Sequence, residues 1–450
     1  MSEKTGDPIG KEQVKQAKQV MRDARVRWPQ RRQIEMRTLS LEQMLPADDQ
    51  ARLVWRFVET LDLAAFYQKI VVSKSQAGRT ATAPEVLVAL WLQATLDGIG
   101  SARELARRCE TDMPYRWICG DDAVNYHTLS DFRVEHAAEL EQILTTTVAA
   151  LVKQKLVPLK TIAQDGIRVR ASAGKSSFRR LLTLEKLQVA AAEHVQRLQA
   201  EAETSDSGAS RRQAAQQRAA ADRARRIDEA LRQRDKLSKR QEKRKKGSGT
   251  QTRVSTTDPE ARVMKMANGG YNPAYNVQFA TDADARVIVA VTVTNDGTDG
   301  GELAPMHTKI VTNYGQTPEV MMGDSAYATR AGVTAVEQAH TIVVSTVPRA
   351  DECRKKGRDP HTAQPGDTPE FVAFRQRMGE EKYKELYKQR PSIAEFPNAV
   401  CRNQNLQQFP VRGQPKVKAI SLWQALAFNF TRIHALLTAP LLIQEVALPF

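Results

Sequence analysis

Three acids stand where a chain could build a site for hard cations. The segment TIAQDGIRVRASAGKSSFRR, residues 161–180, closes an apolar run on Asp165 and follows it with Arg168, Arg170, Lys175, Arg179 and Arg180. PEVMMGDSAY closes a second apolar run on Asp324. Glu395 lies in ELYKQRPSIAEFPNAVCRNQNL, with Tyr387 and Arg390 before it and Arg402 after it. On a helix, Glu395 and Arg402 are two turns apart and share a face. Pro391 kinks that helix or starts its second half, which would put Glu395 in the first turns. Carboxylates suit Mg²⁺, which keeps waters and accepts phosphate oxygens. Two such ions, roughly 3.5–4 Å apart, can activate a hydroxyl and stabilise the leaving oxygen of a phosphodiester. Each acid alone has a plainer reading, as a turn residue after a strand or a surface acid on a helix. Asp299, in NDGTDGGEL, is a candidate fourth acid that reads first as a cap for a helix starting near Glu302.

The elements around these residues must bring them together. TIAQDGIRV reads as a first strand, ended or nearly ended by Asp165. YNVQFATDADARVIVAVTVTN reads as two strands around a TDADA turn, rich in β-branched residues. ELAPMHTKIVTNYG is a helix, PEVMMGDSAY a short buried strand ending in Asp324, ATRAGVTAVEQAH a helix and TIVVSTVPR a strand. Residues 368–405 are helical, and SLWQALAFNFTRIHALL closes the chain as an apolar helix. This order predicts an α/β, ribonuclease-H-like fold: three meandering strands, then parallel strands with helices on the faces. Its first and fourth strands are neighbours, so Asp165 and Asp324 would meet at one edge, with Glu395 the third acid from a later helix.

Ahead of the sheet, residues 41–157 read as a helical domain. PEVLVALWLQATLDGIG has helical spacing, a Pro84 start and a Gly98 stop. SARELARR follows with Ser101 and Glu104 in capping-box register. A further helix opens near TLSDFR and runs through AAELEQILTTTVAALVKQ. Short helices and tight turns are compatible with a helix-turn-helix. Residues 1–40 form a polar, basic N-terminal arm. Residues 181–247 are an inserted basic arm, two long helices around the polar hinge TSDSGAS, a helical hairpin or coiled coil. The catalytic domain then comprises 158–180 and 248–437, with 438–450 a C-terminal tail.

Charge indicates the partner. The chain of 450 residues has 67 Lys and Arg against 52 Asp and Glu, a net of +15. Residues 211–246 alone hold 15 basic and 5 acidic residues, a net of +10. A face so unbalanced repels itself and suits a phosphate backbone. The four scattered cysteines and dispersed histidines argue against a disulfide scaffold and a zinc site, and fit a reducing cytoplasm. MSEKTGDPIGKEQVKQ lacks the apolar core of a signal peptide. No uncharged apolar run approaches the roughly 18 residues that span a bilayer.

From about residue 40 to 437 the chain resembles the DDE transposases of bacterial insertion sequences. QDGIRVRASAG is similar to the first-Asp block, GGYNPAYNVQFATD with VTNDGTDGGELAPM to the second and third strand block, and GDSAY to the second-Asp block. Tyr387, Arg390, Glu395 and Arg402 are similar to the Tyr-Arg-Glu-Lys signature, with Arg in place of Lys at its last position. GIGSARELARRC and HTLSDFR are similar to the helical N-terminal domain. The resemblance implies that Asp165, Asp324 and Glu395 hold Mg²⁺, with Mn²⁺ as substitute, and that Tyr387, Arg390 and Arg402 handle DNA near the cut. On this reading Arg168, Arg170, Lys175, Arg179 and Arg180 hold the double-stranded DNA, both element ends and target. The chain would cleave at terminal inverted repeats and transfer the 3′-hydroxyl to target DNA. It would act as a homodimer or larger assembly, in the bacterial cytoplasm at the nucleoid and at no membrane. A structure-specific nuclease on the same fold and an inactive DNA-binding relic remain alternatives.

Overall fold

A computed structural model describes residues 38–70, 80–203 and 211–446, with 32, 34 and 36 besides. Most of the expected N-terminal arm, the hinge at 204–210 and the last four residues of the tail lie outside these. Residues up to Met44 are one unit, closed by the short helix α1 (Leu41–Met44); residues 45–450 are the other.

In the larger unit α2 (Gln50–Glu59) starts at Asp49, whose carboxylate accepts the Ala51 N–H at 2.8 Å. A short α3 (Ala64–Tyr67) follows, then α4 (Pro84–Leu96), which opens on its proline as expected and is buried almost all round. Gly98 ends the turn behind it with φ +70°, a left-handed backbone that suits glycine. α5 (Ala102–Thr111) is capped by Ser101, which accepts the Glu104 N–H at 3.4 Å. The Glu104 carboxylate turns instead to Arg107 and Arg108. α6 (Met113–Cys119) ends on left-handed Gly120. The helix expected from TLSDFR onward is two, α7 (Tyr126–Glu135) and α8 (Ala137–Lys153). They part at His136, whose ring packs 5.0 Å from Phe66 and 4.7 Å from Phe132.

The sheet begins with β1 (Thr161–Arg170). A two-residue clasp, β2 (Phe178–Arg179) on β3 (Val254–Ser255), closes the root of the inserted arm. The arm itself is α9 (Leu181–Glu203) and α10 (Arg211–Arg244). Gln188 bridges the two helices to Asp228 at 2.7 Å, and Leu184, Ala230 and Val254 form a small core at their base. Then come β4 (Arg262–Lys265), β5 (Tyr271–Asp282), β6 (Ile288–Thr294), α11 (Leu303–Tyr314), β7 (Val320–Met322), α12 (Arg330–Gln338) and β8 (Ile342–Val344).

The strand order is β4–β5–β1–β7–β8, with β6 beside β4 along the same edge of β5. β5 runs antiparallel to β1, β4 and β6; β7 runs parallel to β1 and β8 parallel to β7. One face of the sheet, through Ile167, Val169, Val277 and Phe279, shares a core with the helices of residues 50–144 and with α17 (Gln414–Val446). The other, through Ile162, Ala280 and Val289, packs against α11, α12 and α14 (Pro369–Arg377), beyond the short α13 (Ala350–Lys355). The chain is thus mixed α/β, a sheet covered on both faces.

Candidate active site

Asp165 is the fifth of the ten residues of β1, not its end. Its place at an edge comes from β7, which is only three residues long. The β1–β7 pairing runs Thr161 to Val320, Ile162 to Met321 and Ala163 to Met322. Carried two residues further, the same register sets Asp165 beside Asp324, which leaves β7 through Gly323. The Asp324 backbone carbonyl accepts from Ser345 Oγ at 2.9 Å and from the Tyr327 N–H at 3.1 Å. Its carboxylate accepts the Ala326 N–H at 2.8 Å, so the turn that carries it is fixed at both ends.

The third acid arrives from a broken helix. α15 (Glu381–Lys388) is followed by a π turn at Pro391–Glu395 and then α16 (Phe396–Asn403). Pro391 removes a backbone donor, and the widened turn absorbs the break. Ile393 and Ala394 of that turn are buried in the second core, and Arg286 donates to the Ser392 carbonyl from the β5–β6 turn. Glu395 sits at the junction with α16, its side chain 57% exposed.

Arg390 ties this turn to the sheet. Its Nη1 lies 3.6 Å from Asp165 Oδ1, and its Nη2 donates to Glu395 Oε1 at 3.3 Å. Burial works to lower the Arg390 pKa, but Asp165 and then Tyr387 carry it above its ordinary value. The Tyr387 ring centre is 6.0 Å from the guanidinium carbon. From α16, Asn398 Nδ2 donates to Asp165 Oδ2 at 2.7 Å. The Asp165 side chain is 18% exposed. Burial pushes its carboxyl up to about 6; Arg390 opposes this, while Asp324 and Glu395 add to it. Arg402, on α16, is exposed.

The opposite face of β1 carries a polar ladder. Gln164, Gly166 and Arg168 point there, since successive residues alternate. Asp299 accepts from Asn276 Nδ2 at 2.6 Å and Gln278 Nε2 at 2.7 Å, and Arg168 Nη2 lies 3.7 Å from it. Gln164 and the Tyr327 hydroxyl both donate to Gln278 Oε1. Asp299 is therefore not the side-chain cap expected from NDGTDGGEL. α11 starts after Glu302, and only the Asp299 backbone carbonyl meets the Glu302 N–H. Gly166 is required at this level: a Cβ there would fall 2.5 Å from Gln278 Nε2 and 2.6 Å from Asp299 Oδ1.

The basic residues after Asp165 spread out. Arg168 is drawn to Asp299 and to the Lys265 carbonyl, on the face away from the Asp165 side chain. Arg170 ends β1, where its backbone bonds the segment at Gln407–Phe409. Lys175, Arg179 and Arg180 are exposed at the root of the arm. Asn398, Asn276, Gln278 and Tyr327 join the site unannounced in the sequence; only the buried polar positions in the strand block NVQFATD hint at Asn276 and Gln278.

Among the described residues no three His, Cys, Asp or Glu side chains form a group set to hold one metal ion. Asp165 and Glu395 share the Arg390 guanidinium instead. No helix among the described residues is long and apolar enough to cross a membrane.

Residues 39–135 match the family model described as Transposase domain (DUF772). That span covers α1 to α7, of which α2 to α7 share a core with the Asp165 face of the sheet. The match supports a transposase role for the chain. No curated protein and no solved structure matches it.

Proposed function

We propose that the chain is a DDE-type DNA transposase of a bacterial insertion sequence, with its sheet as a ribonuclease-H-like catalytic core. One observation carries the reading: the β1–β7 register aligns Asp165 with Asp324, while Arg390 reaches Asp165 and Glu395 together. The strand order, with β7 and β8 parallel to β1 and β5 antiparallel to β1, β4 and β6, supports the same fold.

Asp165, Asp324 and Glu395 would hold Mg²⁺, with Mn²⁺ as substitute. The donor chemistry fits: all three offer hard carboxylate oxygens, and a divalent cation would stabilise the charged form of Asp165, which burial and its acidic neighbours push up to about 6. Bound there, the ion supplies the charge that activates an attacking hydroxyl and offsets the leaving oxygen of a phosphodiester. Asn398 holds Asp165 by its Oδ2, leaving Oδ1 toward Arg390. Arg390, planar and always charged, would offer its guanidinium to a DNA phosphate beside the acids. Tyr387 stacks beside it, and Arg402 contacts the backbone further along α16. Arg170, Lys175, Arg179 and Arg180 line the way from β1 to the arm; Arg168 supports the sheet through Asp299. The partners are double-stranded DNA, as element ends and target, and a second copy of the chain.

The test uses duplexes bearing the element's inverted repeats, intact and pre-cleaved, with Mg²⁺. The native chain cuts the first and joins the second to target DNA; Asp324→Ala does neither. Cleavage that survives Asp324→Ala ends the reading, and cutting without joining assigns a nuclease instead.

A further inference from the structure

A cavity of about 620 Å³ opens between the turn from α4 into α5, the segment after α16, and α17. That is within the roughly 300–1,000 Å³ of small-molecule sites. Asp165, Asp324 and Glu395 take no part in its lining, so its occupancy is independent of the cleavage reading.

Its wall holds an uncompensated cation. Arg133 is 7% exposed, with its guanidinium 4.8 Å from the centre of the Trp91 ring. Nη1 donates to the Gly100 carbonyl, but Nε has no hydrogen-bond partner. Burial alone acts on its pKa, pulling it to about 10, and no acidic neighbour offsets this. An unpaired buried charge is costly and calls for a counter-charge.

Two buried acceptors line the same space. Gln424 Nε2 donates to the Gln404 carbonyl at 3.1 Å, which settles which end of the amide is oxygen. Its Oε1, and the Oε1 of Gln404, are buried without a donor. The indoles of Trp91 and Trp423 lie beneath the lining, 1% and 2% exposed, and both N–H groups are already spent on the carbonyls of Leu129 and Arg133. At the exposed rim Arg103 lies over the Tyr126 ring at 5.1 Å.

A ligand that meets all of this has an anionic group for Arg133 and Arg103, and N–H donors for two amide oxygens. We propose that the cavity binds a nucleotide whose base carries an exocyclic amino group. The same chemistry arrives as a free nucleotide or as one nucleotide of a DNA strand.

Trp91 and Trp423 report on the site. The full-length protein is titrated by tryptophan fluorescence with dAMP, dTMP, inorganic phosphate and a short single-stranded oligo-dA. The expected result is saturable quenching by dAMP, weaker quenching by dTMP, and far weaker quenching by phosphate. Arg133→Met removes a buried charge without a void, so folding should survive, and affinity should fall roughly tenfold or more. Gln424→Leu should bring the dAMP and dTMP affinities together. Arg103→Ala, on the exposed rim, should weaken all nucleotides several-fold and keeps the test valid if Arg133→Met does not fold. Saturation by dAMP assigns the site to free nucleotides. Saturation by oligo-dA alone, lost in Gln424→Leu, assigns it to a DNA strand. Phosphate quenching as well as dAMP, no quenching by any probe, or affinities unchanged in all three variants overturns the proposal.

Discussion

Asn398 Nδ2 donates to Asp165 Oδ2 at 2.7 Å, joining residues 233 positions apart. The bond holds the carboxylate of the central strand against α16, and it favours the charged form of the acid. Asn398→Ala should therefore raise the Asp165 pKa further. In a pH–rate profile of DNA cleavage, the low-pH limb should move to higher pH while the rate at alkaline pH is largely kept. An unmoved limb would separate Asn398 from the acid's protonation.

Asp165 also links stability to pH. Its folded pKa, about 6, lies above the unfolded value near 4. The folded state therefore holds this proton more tightly. Its contribution is fully present below about pH 4 and is lost as pH rises through 6, by up to about 3 kcal/mol. Asp165→Asn cannot lose it. Between pH 4 and 7.5 the native melting midpoint should fall relative to that of Asp165→Asn, and at pH 7.5 Mg²⁺ should raise the native midpoint but not the variant's. Parallel curves for the two proteins would contradict both expectations.

These links explain which parts of the molecule are legible in its sequence alone. Strands are plain in NVQFATD and VIVAVTVT because both are mostly buried and carry β-branched residues in short runs. The hairpin turn between them, the arm helices and the Pro84 start need only local chemistry. Asp165 is harder. Whether it lies at an edge depends on where β7 stops, which is a property of the neighbour. Asp299 reads as a cap because an acid before a helix usually is one; two amides from β5 and Arg168 outcompete that role, and nothing near Asp299 announces them. Arg390 reads as a phosphate contact, yet the structure gives it two acids. Asn398 carries no local signal at all. At the break at His136 the tertiary partner is Phe66, which packs on its ring beside Phe132 of α7.

Gly166→Ala tests how tightly the two faces of β1 are coupled. The added Cβ would meet Gln278 Nε2 at 2.5 Å, Asp299 Oδ1 at 2.6 Å and Asn276 Oδ1 at 2.8 Å. These are side-chain ends, but they are buried and bonded to one another, so none moves alone. The expected loss is about 1–3 kcal/mol in urea unfolding, with reduced cleavage as Asp165 shifts with its strand. A native midpoint would mean that the ladder yields freely.

Asp299 is a hub for two amides and a guanidinium. Asp299→Ala strands the Asn276 and Gln278 donors and should cost about 1–3 kcal/mol. Asp299→Asn keeps an acceptor oxygen for both amides and loses only the attraction to Arg168, so it should cost less and retain most cleavage. Were Asp299 a metal ligand, the two variants would be equally dead in the cleavage assay, which measures the difference directly.

The arm gives the broadest prediction. Arg223, Lys236, Lys239 and Lys243 are exposed on α10, in a stretch with ten more basic than acidic residues. A solvated face would tolerate their loss, whereas a DNA track would not. Each phosphate contact releases counterions and adds roughly 0.9 to the slope of log affinity against log salt. Exchange of all four for Gln should flatten that slope by up to about 3 to 4 and weaken binding most at low salt. Folding should be unaffected, because the arm is rooted elsewhere: in the β2–β3 clasp, in the Leu184–Ala230–Val254 core, and through Arg262 to Gln233 at 2.6 Å. Binding by native protein and variant, followed by fluorescence anisotropy at several salt concentrations, decides the matter. Superimposable slopes would remove the arm from the DNA surface and leave its charge to an acidic protein partner.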